Sequence, residues 1–269
     1  MISLIIAVYK NVKALDLIFQ SLSLQSFQDF EVLVAEDGQD EAMHVFIDQA
    51  HQSYRFPIRH LTHEDDGFRK IVIGNEAIRN ASGEYVIFID GDCILHPRFI
   101  EEYHKAMKPG SFFFGRRVML GPNISKGLYS QSSLRIPTFL SLLISDSTQV
   151  RESLYLPFLS PKEKVNREIW GCNWGVYKQH LMDINGFDED YALPCFGEDL
   201  DIDWRLANLG LKRYSLKNKA IQYHLYHPLI WDADIEAWGR VLYEQKRDDG
   251  FTRCLNGIEK LSIKGQYDD

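Results

Sequence analysis

Cysteine is scarce in this chain. Cys93, Cys172, Cys195 and Cys254 show no Cys-x-x-Cys spacing, which argues against a zinc site. They read as free thiols in a reducing, cytoplasmic setting. Long hydrophobic runs are missing too. Met1 to Val8 is apolar but too short to cross a bilayer and lacks a basic leading region, so it reads as a first strand and not as a signal peptide. Any membrane contact is therefore expected to be peripheral, on the inner face. Positive charge is in deficit, with a formal net charge of −8, which disfavours nucleic acid as a partner. Repeats, low-complexity tracts and linkers are also absent, and 269 residues fit one large α/β domain with an added lobe.

What is present alternates between strand and helix patterns. Ile2 to Val8 reads as a central strand, and Val12 to Leu24 as a helix with apolar residues at Leu15, Ile18, Phe19 and Leu22. Phe30 to Ala35 follows as a strand, Glu41 to His51 as a helix, Ile58 to Thr62 as a strand and Lys70 to Ala81 as a helix. Tyr85 to Ile89 is a strand rich in β-branched and aromatic residues. Pro97 suits the first position of a helix over Arg98 to Met107, and Ser111 to Phe114 is a short strand. Such alternation predicts a doubly wound, mostly parallel sheet, which binds ligands outside the carboxyl ends of its strands. From Val118 to Arg167 the rhythm is lost among Pro122, Pro137, Pro157 and Pro161; a segment of this kind is a functional loop or a simple connection. Further helices are expected near Lys178 to Asp183, from Gly197 to Leu209 and over Ile235 to Tyr243, with a strand at Ala220 to His224. The basic groups Phe68-Arg69-Lys70, Arg116-Arg117 and Lys212-Arg213 with Lys217 and Lys219 read as solvated faces.

Two acidic turns fall at strand ends, Glu36-Asp37-Gly38 and Asp90-Gly91-Asp92. Side chains at i and i+2 of an extended chain point the same way, so Asp90 and Asp92 can converge on one target. A hard divalent cation that bridges to phosphate is the obvious one; a solvated turn is the bland alternative.

Taken in order, Ile5-Ile6-Ala7-Val8-Tyr9, Glu36-Asp37-Gly38, Gly67-Phe68-Arg69-Lys70, Asn80 to Tyr85, Asp90-Gly91-Asp92, Gly186-Phe187-Asp188-Glu189, Gly197-Glu198-Asp199 and His224 to Pro228 resemble a family 2 glycosyltransferase of the GT-A fold. The C-terminal part is similar to galactosyltransferase-type and chondroitin-polymerase-like lobes. The resemblance implies a nucleotide-sugar-binding half over 1–117 and an acceptor-binding, catalytic part over 118–269 of the same domain. It places Ala7, Tyr9, Asp37, Arg69, Asp90 and Gly91 at the donor, with Asp37 on the base and the Arg69 fork suited to the diphosphate. A carboxylate suits uracil because its N3–H donates and Asp accepts. Asp92 is implied as a ligand of Mn²⁺ or Mg²⁺, with His224 or His227 completing the site, and Asp90 as a contact to ribose or a metal-bound water. Asp199 is implied as the base that deprotonates an acceptor hydroxyl, with Glu198 holding the acceptor; helix capping is the plainer role for both. Trp170, Trp174 and Phe196 are candidate sugar platforms or core aromatics. Two positions depart from the family: Ala7, where Pro is frequent, and Gln39, where Ser is.

The activity implied is inverting transfer from a nucleotide-diphosphate sugar, UDP-linked, to a saccharide or lipid-linked acceptor, in the synthesis of a cell-envelope polysaccharide or similar glycoconjugate. The rivals are a nucleotide-sugar-binding protein without turnover, which needs no Asp199, and a metal-dependent phosphohydrolase, which places its acid on the first strand. Here that strand carries none.

Overall fold

The computed structural model describes residues 1–165, 169–194, 196–228 and 232–262; Cys195 and the expected end of the middle segment at Arg167 lie outside them. Its first strand, β1 (Ile2–Val8), is buried at every residue but Ala7, which is half-buried. Ile2, Leu4 and Ile6 pack to one side with Leu15, Ile18, Phe19 and Leu22 of α1 (Val12–Ser23). Ile5 packs to the other side with Ile71 and Ile78. This period-two division between two helical layers is what a fully covered parallel strand requires. Each such buried side chain contributes on the order of 1.5–3 kcal/mol.

The chain then runs through β2 (Phe30–Glu36), α2 (Glu41–Ser53), β3 (Ile58–Thr62), α3 (Lys70–Asn80) and β4 (Tyr85–Asp90), all within two residues of the expected spans. Local chemistry sets the starts of α1 and α2: Asn11 accepts from the Ala14 N–H at 3.1 Å, and Asp40 from the Met43 N–H at 2.9 Å, each satisfying a donor the helix leaves open. Next come β5 (Cys93–Leu95), α4 (Phe99–Ala106), β6 (Ser111–Phe114), β7 (Arg116–Met119), α5 (Pro122–Tyr129), α6 (Phe139–Leu143), β8 (Lys162–Glu163) and β9 (Asn173–Tyr177). The last part holds α7 (Lys178–Asp183), α8 (Glu198–Asn208), β10 (Lys212–Ser215), β11 (Ile221–His224) and α9 (Ala233–Asp249).

Eight strands form the central sheet in the order β3-β2-β1-β4-β9-β6-β10-β8. The sheet is mostly parallel as expected, with β9 inserted antiparallel between β4 and β6. Three strands, β5-β11-β7, form a second, smaller sheet. The expected strand at Ala220 to His224 belongs to this one. Its register sets His224 opposite Cys93 and Met119, and so beside Asp92.

Several expectations change. Pro97 precedes the helix instead of opening it, because Arg98 is the N-cap. The last helix extends beyond Tyr243 to Asp249, where Gly250 at φ 76° closes it. Part of the middle segment is tied down: the Tyr155 hydroxyl donates to Glu102 Oε1 at 2.7 Å, and Lys219 Nζ donates to the Pro157 carbonyl at 2.7 Å. Lys219 and Arg213 are not a solvated face either. They pair with the buried carboxylates Glu102 (2.8 Å) and Asp203. Among the described residues no helix is long and apolar enough to cross a membrane, and Cys93, Cys172 and Cys254 are free thiols.

Candidate active site

A cleft of about 440 Å³ opens at the carboxyl ends of β1, β2 and β4, lined by Ala7, Val8, Tyr9, Asn11, Asp37, Gly67, Phe68, Lys70, Asp90, Gly91 and Asp92. Asp37, on this lining, is held by two donors. The His63 imidazole donates to Oδ1 at 2.8 Å and the Arg69 main-chain N–H donates to Oδ2 at 3.0 Å. Arg69 thus meets Asp37 through its backbone; the cationic side chain lining the cleft is the next one, Lys70. Tyr9 stands half exposed at the rim, its hydroxyl accepting from Lys10 Nζ at 2.9 Å.

Gly91 is required where it sits. A Cβ there would lie 2.7 Å from the Ala7 carbonyl and 2.8 Å from Val8 Cγ1, so only glycine lets the end of β4 lie against β1. The strand stops at Asp90 and the chain turns through Gly91 and Asp92. Both acids line the cleft, and each has its own partners. Asp90 pairs with Lys70 at 2.8 Å and faces Arg117 at 3.7 Å. Asp92 turns to the second sheet, its Oδ2 lying 3.3 Å from His224 Nε2 and 3.2 Å from His227 Nε2.

Asp92, His224 and His227 bring one ligand atom each within 4.8 Å of one another. Burial alone would raise the Asp92 carboxyl, but hydrogen bonds from both imidazoles outweigh it and hold the group well below the usual carboxylate range. The same contact raises His227. One carboxylate and two imidazoles form a donor set that a divalent transition-metal ion can take, with the carboxylate the ligand that suits Mn²⁺. Three ligands leave open positions for diphosphate oxygens, so the residues present fit the group.

Across the cleft, α8 begins at Gly197 (φ 118°), whose Cβ would meet the Tyr191 ring at 2.5 Å. Gly197 is the N-cap, so neither Glu198 nor Asp199 holds the capping position. Asp199 accepts the Gly171 N–H at 3.0 Å and the Leu200 N–H at 2.9 Å. Burial raises its carboxyl, and these N–H groups oppose the rise without cancelling it. Burial first, and the neighbouring Asp199 charge second, push Glu198 up to about 7. Both carboxyls line a narrow recess of about 30 Å³ that shares Ala7, Lys70 and Asp90 with the main cleft.

The aromatic candidates separate. Trp174 is fully buried and stacks on Phe88 with centroids 4.3 Å apart, which makes it core. Phe196 lies under Arg240 at 4.2 Å. Trp170 is 40% exposed beside Gly171, with the Arg116 guanidinium 4.4 Å from its ring. Asn11 and Lys70 line the cleft, and His63 and Arg117 meet its acids Asp37 and Asp90; the sequence alone assigns none of the four a specific role. Lys70 and Arg117 stand in the basic clusters, but His63 carries no pattern that could have singled it out.

This sheet, with its acid-bearing cleft at the strand ends, is the GT-A architecture of nucleotide-diphospho-sugar transferases. A family model described as glycosyl transferase family 2 matches residues 3–162, and the chain belongs to that family. An uncharacterized glycosyltransferase of Rickettsia felis is 27% identical over 131 residues, 49% of this chain and 21% of that protein. The putative glycosyltransferase EpsH of Bacillus subtilis is 28% identical over 102 residues, 38% of this chain and 28% of that protein. The chain therefore spans less than a third of the length of these relatives. Among solved structures, S. aureus TarS 1-349 in complex with UDP superposes with a TM-score of 0.56 at 17% identity, covering 84% of this chain and 61% of TarS. The mannosyltransferase PcManGT from Pyrobaculum calidifontis, in complex with GDP-Man and Mn²⁺, gives 0.57 at 13% identity, covering 91% and 62%. At these identities the likeness is one of fold.

Proposed function

We propose that this chain is an inverting glycosyltransferase that moves a sugar from a nucleotide-diphosphate sugar, UDP-linked, to a hydroxyl of a saccharide or lipid-linked acceptor. One observation carries the reading. Asp92 of the metal-competent Asp92–His224–His227 group lines the main cleft, and the raised Glu198–Asp199 pair lines a recess that shares Ala7, Lys70 and Asp90 with it. The structural neighbours support it, since TarS binds UDP and UDP-GlcNAc and PcManGT binds GDP-Man with Mn²⁺.

In this reading the base rests on Asp37, and Tyr9 and Ala7 line its approach. Gly91 allows the backbone to pass close, and Asp90 meets the ribose or a metal-bound water. Arg69 serves Asp37 through its backbone, while its guanidinium is available to the diphosphate. Asp92, His224 and His227 would hold Mn²⁺ (or Mg²⁺), which when bound supplies neutralisation of the leaving diphosphate. Asp199 takes the acceptor hydroxyl proton as that oxygen bonds to the anomeric carbon, and the bond from that carbon to the diphosphate breaks. Attack and departure on opposite faces invert the centre. A raised carboxyl is the stronger base, and the Gly171 N–H aims it. Glu198 holds the acceptor, and Trp170 offers a face for its sugar.

The donor half is 1–117 and the acceptor half 118–269, the latter a galactosyltransferase-type, chondroitin-polymerase-like lobe. The work is cytoplasmic, peripheral to the inner face of the membrane, in cell-envelope polysaccharide synthesis. A binding protein without turnover would have no use for a buried Glu198–Asp199 pair. The test is nucleotide release from a panel of UDP- and GDP-sugars with Mn²⁺ and with chelator. Metal-dependent release from at least one donor is expected, and a panel inert in both conditions contradicts the reading.

A further inference from the structure

The recess beside the main cleft holds an imbalance of charge. Asp90 enters from the end of β4, and Glu198 and Asp199 from the start of α8; among the described residues the one cation lining the same recess is Lys70, the first residue of α3. Its Nζ lies 2.8 Å from Asp90 Oδ1. Arg117 also faces Asp90, at 3.7 Å, but from the far side.

We propose that Lys70 is a positioning residue of the transfer reaction, whose ammonium, set among Asp90, Glu198 and Asp199, keeps Asp199 ionised and ready to accept a proton. The inference rests on the reading of Asp199 as base and adds to it the group that sets that base's charge state.

The physical argument is one of counting. Like charges sharing a site cannot all ionise at neutral pH, and an opposite charge within a few ångströms reverses this. The groups facing the pair are Lys70 from α3 and Asp90 from β4, with the Gly171 N–H on Asp199. The nearby thiol Cys172, pushed up to about 12 by burial, is uncharged at neutral pH. Burial alone would lower Lys70, but Asp90, Glu198 and Asp199 together hold it charged. Neutralising Lys70 therefore leaves the α8 pair with Asp90's repulsion and no counter-charge beside it. Asp199 then keeps its proton where the reaction needs it gone. Asp90→Asn acts in the opposite sense, since it removes a negative charge and frees the ammonium to face the pair.

The experiment has two readouts. Carboxyl ¹³C NMR titration of the Glu198–Asp199 pair needs no substrate. Lys70→Met, with Lys70→Gln as a second neutral variant, is expected to move the upper midpoint up by at least one pH unit. Lys70→Arg should restore it, and Asp90→Asn should move it down. Midpoints unchanged by the neutral variants, or moved equally by Lys70→Arg, overturn the proposal. Donor turnover then supplies the second readout. Lys70→Met should lose at least tenfold in kcat at pH 7 and recover most of it at pH 9, with KM for the donor changed less than threefold; an equal loss at both pH values overturns the proposal. If the midpoints shift as expected while the wild type releases nucleotide from no donor, the charge-setting role of Lys70 stands and the glycosyltransferase reading fails.

Discussion

His63 Nε2 donates to Asp37 Oδ1 at 2.8 Å, and the Arg69 main-chain N–H takes the other oxygen at 3.0 Å. The carboxylate proposed to bind the nucleobase thus has both oxygens held by the protein itself. A hydrogen bond to a charged group contributes about 1.5–3 kcal/mol. His63→Ala is accordingly expected to weaken UDP binding roughly tenfold or more, and His63→Gln, which keeps a donor, to recover much of it. Calorimetry with UDP checks this; equal affinity for wild type and His63→Ala would show that Asp37 needs no such support.

The Asp92–His224–His227 group predicts metal-dependent nucleotide binding. UDP should bind at least tenfold more tightly with Mn²⁺ than in chelator. Asp92→Asn should abolish the difference, and His224→Ala should reduce it more than His227→Ala, because His224 is buried and His227 exposed. Equal UDP affinity of the wild type in both conditions contradicts the assignment.

Asp201, two residues after Asp199, is buried and accepts from Arg205 Nε at 2.8 Å, while Arg205 Nη1 donates to the Ile184 and Gly186 carbonyls. Removing one partner of a buried pair costs about 3–5 kcal/mol. Arg205→Met should lower the urea midpoint accordingly, and Asp201→Asn should do so to a smaller degree. A midpoint unchanged in Arg205→Met would refute the pair's structural role.

Glu198 gives a pH-dependent stability of definite sign. Its carboxyl is raised from 4.5 to about 7 by burial and by Asp199, so the folded chain holds a proton that the unfolded chain has released. The favourable contribution is complete below about 4.5 and is lost as pH rises through about 7. Glu198→Gln removes this titration. The stability difference between mutant and wild type should grow in the mutant's favour between pH 5 and pH 8, by on the order of 1–3 kcal/mol. Denaturation midpoints at the two pH values decide it, and a difference independent of pH contradicts the raised carboxyl.

The first half of the fold is legible in the sequence because β1, β2 and β4 are apolar runs covered on both faces and α1 to α3 carry helical spacing. The strands missed are β5, β7, β8, β9 and β10. They are short, and β9 holds Gly175 between Trp174 and Val176 in a strand buried on both faces, which leaves no alternation to read. The site divides in the same way. Asp37 and Asp90 to Asp92 follow from strand ends, whereas the meeting of Asp92 with His224 needs the register of β11 on β5, across more than a hundred residues. The family resemblance supplied that pairing; hydrophobic pattern could not. Lys70 and Arg117 read as ordinary basic surface because their partner, Asp90, is reached only through packing.

If Asp199 deprotonates the acceptor, Asp199→Asn separates that role from a purely structural one. Gly197, not Asp199, is the N-cap of α8, so the exchange should leave thermal stability close to wild type. Donor and metal binding should persist, since Asp37, Asp92 and His224 do not line the recess that holds Asp199. Loss of a general base typically costs about 10²–10⁴ in rate. The measurement is sugar transfer by Asp199→Asn beside its UDP–Mn²⁺ affinity and melting temperature. A rate loss of that size, with affinity and melting temperature preserved, is the predicted result; near-native transfer at unchanged stability would contradict it and remove Asp199 from the mechanism.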